Sequence, residues 1–141
     1  MRMIRIAPWI NRLVLAFTTL LFTAIGLRYI HDPVGTSAAI GVTIASTGGA
    51  ATTRIGLGAF PLAFAIFSLL CLTSSRRLLT GVSLVATVVA TVIVVRLFSL
   101  LVDGPAPAST RLFIPEGIVL SFCIAGIALE TARQRRAETA A

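Results

Sequence analysis

Residues 78–102, LLTGVSLVATVVATVIVVRLFSLLV, decide the fold: the run holds a single charged residue, Arg96, close to its end. A helix needs about 20 predominantly apolar residues to cross the hydrocarbon layer of a bilayer. Apolar on every side, such a helix is buried either in lipid or in the core of a large protein, and 141 residues are too few for the second. Two further runs meet the same length, 51–73 with Arg54 near its start and 112–131 with Glu116 near its start. A fourth is predicted over about 9–30, where Trp9 and Tyr29 flank an apolar run as amphipathic ring anchors and Arg28 closes it.

Composition agrees. Hydrophobic residues make up 57% of the chain and charged residues 12%, with a mean hydropathy of +0.99. Soluble domains carry about 25% charged residues, so an ordinary water-soluble enzyme, a disordered tail and a fibrous repeat are all excluded. All 12 basic residues are arginine, against 5 acidic ones, for a net charge of +7. Nucleic-acid binders gather such cations on a hydrated face, whereas here they separate apolar runs, so no nucleic-acid partner is expected. Cys71 and Cys123 lack metal-ligand spacing, and His31 is the single histidine. Neither a metal nor any other cofactor is therefore expected, and both thiols read as small buried hydrophobes.

The arginines orient the chain. With four spans and a cytoplasmic N-terminus, Arg2, Arg5, Arg12, Arg76, Arg77, Arg133, Arg135 and Arg136 lie inside, and only Arg28 and Arg111 lie outside. A fifth span over 34–50 would send Arg76, Arg77 and the C-terminal cluster outward, against the positive-inside rule. That Gly-, Ser- and Thr-rich stretch is therefore predicted to be a short extracytoplasmic or interfacial segment, with both termini cytoplasmic. The basic start of the first run suggests a signal peptide, but Arg28, Tyr29 and His31 stand where small residues would be needed for cleavage, so a retained anchor helix is expected.

The connections fit an up-down four-helix transmembrane bundle, an all-α fold in a single domain over 1–141 with a basic tail at 133–141. Pro33 disfavours helix at Asp32 and ends the first span. Ser74, Ser75, Arg76 and Arg77 make a tight turn. Asp103, Gly104 and Pro105 break the third span, and Ser109 or Thr110 is placed to cap the fourth.

Ionisable groups inside spans are costly and mark function or helix pairing. With boundaries at residues 51, 102 and 112, Arg54, Glu116 and Arg96 lie roughly 5, 6 and 9 Å deep at 1.5 Å per residue, one layer toward the extracytoplasmic side. Spacing turns them inward: Arg54 shares a face with Gly58, Pro61, Ala65 and Ser68, and Ala16, Thr19, Thr23 and Gly26 form a matching small-residue stripe on helix one. Arg96, Ser99 and Asp103 share a face of helix three. Glu116 shares one with Leu120, Cys123 and Ile127, near a helix N-terminus that suits an anion. The layer reads as an ion-pair network that locks the bundle. Alternatively, two arginines against one glutamate, with Asp103 facing water, leave positive charge for a small anionic or lipid ligand. The third option is that the shallow side chains simply snorkel to the interface. His31 and Asp32, near the same layer, could handle protons. Ser83, Thr87 and Thr91 read as a helix-helix hydrogen-bonding row. No nucleophile stands beside a base, so no catalytic residue is assigned.

The order Ala51-Thr52-Thr53-Arg54-Ile55-Gly56, then Arg96 through Asp103-Gly104, then Pro115-Glu116 resembles the uncharacterised four-helix bacterial membrane proteins near the DoxX-like superfamily, over about residues 10–132. That branch often has a fuller Gly-Gly signature around the helix-two arginine, whereas Gly48-Gly49 here precede it. The resemblance implies a four-helix fold in a bacterial inner membrane and brings no established activity. Three functions are weighed. The first is a non-enzymatic membrane protein with a structural or ligand-binding charge layer and lipids as its surroundings. The second is a redox, quinone-linked or lipid-modifying accessory working through Glu116, Asp103 and His31. The third is a small transporter or an assembly subunit, as a homo-oligomer or in a larger membrane complex.

Overall fold

The computed structural model describes the backbone of residues 2–104 and 110–139, with side chains at 8–104 and 110–135. The first helix, α1, is Arg2–His31 and a short α2 is Pro33–Ala38. Then come α3, Thr47–Leu72, α4, Leu78–Asp103, and α5, Phe113–Thr139. Among the described residues four helices are long and apolar enough to cross a membrane, Pro8–His31, Thr47–Leu72, Leu78–Asp103 and Phe113–Arg135. Only 17–22% of each span's most apolar window is buried within the protein. Leu20, Phe60, Phe98, Leu101 and Ile114 are among the large side chains left outward. So much exposed apolar surface suits a multi-pass membrane protein whose outer faces meet lipid.

The helix ends follow local chemistry. The first span closes at His31, as predicted. Asp32 leaves helical geometry, accepts a hydrogen bond from Gly35 N at 2.9 Å and so caps α2, with Pro33 at the first helical position. The second span starts at Thr47 rather than residue 51, because the Ser46 hydroxyl accepts from Gly49 N at 3.0 Å. Within 34–50 the backbone runs through most of α2, a turn closed by Gly41 at φ +82°, an irregular run and the first turn of α3. Residues Arg54–Ala59 widen into a π-helical turn, with Phe60 N–H reaching Ile55 O five residues back. Pro61 follows directly; it supplies no N–H and crowds the preceding turn, and a widened turn relieves that conflict. In the turn between α3 and α4, Arg77 N donates to Ser74 O at 2.9 Å. Gly104, at φ +84°, stops α4, while residues 105–109 lie outside the described ones. Ser109 is among those, and Thr110 precedes Phe113 by three residues, so Thr110 does not stand at the N-cap of α5.

Within the chain two compact units are distinguished: residues up to Leu15 with those from Cys71 onward, and Ala16–Leu70. In the first, Leu15, Cys71, Leu78, Val82, Val85 and Cys123 are buried. A Cβ at Gly81 would stand 2.6 Å from Cys71 Cβ, so the glycine lets α4 approach that side chain closely. In the second unit the small-residue stripes predicted for the first two spans meet. A Cβ at Gly26 would lie 2.8 Å from Gly58 O, and Phe22 and Phe64 pack edge to face at 4.9 Å. Ala65 and Ser68 are buried on the same face of α3. Tyr29 is buried too, whereas Trp9 is 65% exposed.

Candidate functional site

Arg96 and Glu116 meet across α4 and α5, which pack along one another. Arg96 lies seven residues before the last residue of α4, and Glu116 lies in the first turn of α5. The chain reversal after Gly104 therefore brings both to the same end of the pair. Glu116 also gains from the exposed N–H groups of that first turn. The contact is two-pronged: Arg96 Nε donates to Glu116 Oε2 at 3.0 Å and a terminal nitrogen donates to Oε1 at 2.5 Å. Both side chains are largely shielded, at 17% and 18% exposure, and the guanidinium lies 6.0 Å from the Phe113 ring centre. Fork-to-fork geometry of this kind is among the stronger ion-pair arrangements, and its partial shielding reduces screening. Asp103, on the same face of α4, is exposed at the helix end and makes no ion pair among the described residues.

Arg54 belongs to the second unit. Its side chain is exposed, not turned inward as the spacing predicted, and its Nε donates to Ile30 O at 3.1 Å. Ile30 O is one of the last carbonyls of α1, so the arginine completes that helix terminus with a favourable charge. His31 and Asp32 are exposed at the same corner, where Thr36 Oγ1 donates to Arg28 O at 3.5 Å. Arg28, His31 and Asp32 line an open groove of about 520 Å³ together with Leu27, Thr36 and Ala39. Among the described residues the Ser83, Thr87 and Thr91 row bonds within its own helix: Thr87 and Thr91 donate to Ser83 O and Thr87 O, at 2.9 and 2.8 Å.

Two polar residues missed by sequence reasoning lie at the core of the first unit. Asn11 is fully buried; its Nδ2 donates to Gly126 O at 3.5 Å, and its Oδ1 has no donor among the described residues. Glu130 is also fully buried, held by Arg133 at 2.5 and 3.0 Å and by Gln134 at 3.5 Å. One helical turn separates Gly126 from Glu130, and Cys123 lies on the same face. That spacing was the available signal, because it continues the Glu116, Leu120, Cys123 face to the end of the predicted fourth span. Near the same residues Arg12 donates to Ser75 Oγ at 3.1 Å, tying α1 to the turn before α4, and lies 5.9 Å from the Trp9 ring centre. Cys71 and Cys123 are free thiols. No protein-family model matches the chain, and neither does any curated protein or solved structure.

Proposed function

We propose that this is a non-enzymatic integral membrane protein in which the Arg96–Glu116 pair is a structural lock between the third and fourth spans. The observation that carries this reading is the two-point contact itself. An arginine costs about 2.5–3.5 kcal/mol at the centre of a span on insertion scales and less toward its end, and a glutamate forked onto it offsets part of that cost while fixing the register of two helices. Both carboxylate oxygens of Glu116 are engaged by Arg96. This weighs against the quinone-linked or lipid-modifying alternative that the family resemblance suggests. An orientation with both termini cytoplasmic is supported by the eight-to-two arginine asymmetry, and a bacterial inner membrane is what the family resemblance implies. The Arg12 contact with Ser75 agrees, since it brings the N-terminal turns of α1 and the Arg76-Arg77 turn to one end.

A second reading concerns Arg54. Its contact is a carbonyl and its side chain is exposed, which suits a snorkelling cation against lipid phosphates better than a member of the lock. Phosphatase and fluorescent-protein fusions after residues 77 and 141 test the topology; cytoplasmic signals at both are expected, and a periplasmic signal at either contradicts it. Arg96→Gln and Glu116→Gln in detergent test the lock. Each is expected to lower thermal stability, and wild-type melting for both would remove it.

A further inference from the structure

Arg28 and Asp32 stand four residues apart at the end of the first span, a spacing at which opposite charges on a helix ordinarily pair. Here they do not: among the described residues neither makes an ion pair. The reason is local. Asp32 has left the helix, and its Oδ1 is held by Gly35 N at 2.9 Å. The carboxylate lies where a Cβ on residue 35 would stand, so only glycine leaves it that place. One groove therefore carries a guanidinium and a carboxylate that do not neutralise each other, with the His31 imidazole between them in sequence. Its remaining walls include Leu27 and Ala39, both exposed and apolar. The groove's volume of about 520 Å³ falls in the range of about 300–1,000 Å³ typical of small-molecule sites.

We propose that this groove at the α1–α2 corner holds the headgroup of a zwitterionic phospholipid with a primary ammonium, phosphatidylethanolamine. The phosphate sits on Arg28, with His31 as a second donor, and the ammonium sits on Asp32. Position favours a lipid, because the groove opens where the span Pro8–His31 ends and headgroups lie at that depth. The charge pattern selects among lipids. An anionic headgroup without a cation would meet the Asp32 carboxylate unfavourably. A quaternary ammonium has no N–H to donate, whereas a primary ammonium has three donors. Leu27 and Ala39 continue the surface toward the acyl chains.

The inference rests on reading Pro8–His31 as a span, and the test separates the two. The full chain is reconstituted in nanodiscs holding equal parts of phosphatidylethanolamine, phosphatidylglycerol and phosphatidylcholine, and retained lipid is read by native mass spectrometry. Wild type is expected to retain phosphatidylethanolamine roughly two- to five-fold over the others, the scale of an exposed charge pair. Asp32→Asn keeps a good helix cap and is expected to lose the preference over phosphatidylglycerol. Arg28→Gln is expected to lose retention of all three. Equal retention by wild type, or an unchanged preference in Asp32→Asn, overturns the proposal. Displacement of the lipid by inorganic phosphate alone overturns it too, since the ammonium contact would then contribute nothing. Release of the protein from membranes by alkaline carbonate would instead refute the span.

Discussion

Asn11 occupies the space over Gly126: the asparagine carbonyl lies where a side chain on residue 126 would begin, and its amide donates to the Gly126 carbonyl. A polar amide fully buried at a helix crossing is tolerated because the glycine leaves backbone within reach. Gly126→Ala should therefore push Asn11 away and cost about 1–3 kcal/mol by overpacking. Asn11→Leu should be tolerated only in company with a residue-126 glycine. Unfolding of the detergent-solubilised protein in a sodium dodecyl sulfate titration measures both.

Glu130 gives a prediction with a definite order. The carboxylate is the buried member of its pair, while Arg133 is 43% exposed. Removing the cation strands a buried charge; neutralising the acid does not. Arg133→Ala should thus lower stability more than Glu130→Gln, by about 1–2 kcal/mol at neutral pH. Equal losses would mean that the carboxylate reaches water.

The Gly26–Gly58 approach sets the spacing of α1 and α3 within their unit. Gly58 would also meet Ile30 Cγ1 at 2.8 Å if it carried a Cβ. Gly58→Val should therefore separate the two helices and cost about 1–3 kcal/mol, whereas Gly56→Ala, with open space around it, should be nearly neutral. Limited proteolysis within 42–46 reports the loosening, with faster cleavage expected for Gly58→Val alone.

Ser46 starts the second span four residues before the apolar run suggests. Ser46→Ala should cost about 1 kcal/mol by removing the cap, and Ser46→Asp should preserve it. Amide exchange at Gly48 and Gly49 is the direct readout, with faster exchange expected in the alanine variant.

The spans were legible because length and apolarity alone identify a helix that lipid can surround. Arg96 and Glu116 were legible because a charge inside such a run has few places to go. The start of α3 was not: Gly48 and Gly49 look like loop, and only the Ser46 hydroxyl, one cap among several serines and threonines nearby, marks the boundary. The π-helical turn had a visible cause in Pro61, but proline can also kink or simply lose one hydrogen bond, so the wider turn does not follow from sequence. Asn11 stands next to Arg12 and Glu130 three residues before Arg133, and a polar residue close to an arginine at a span end reads as solvated. Their burial depends on how helices distant in sequence cross, which periodicity within one helix does not contain.

A charge exchange tests the lock most directly. Arg96→Glu and Glu116→Arg each place like charges together in a shielded site and should each cost about 2–4 kcal/mol. In the double variant Arg96→Glu with Glu116→Arg the pair reforms in reverse. It should recover all but about 1 kcal/mol, the remainder reflecting a cation placed at the N-terminus of α5. Thermal unfolding of all four proteins closes the cycle. A double variant close to wild type is the predicted result, and one as unstable as the sum of the two single changes would contradict the account.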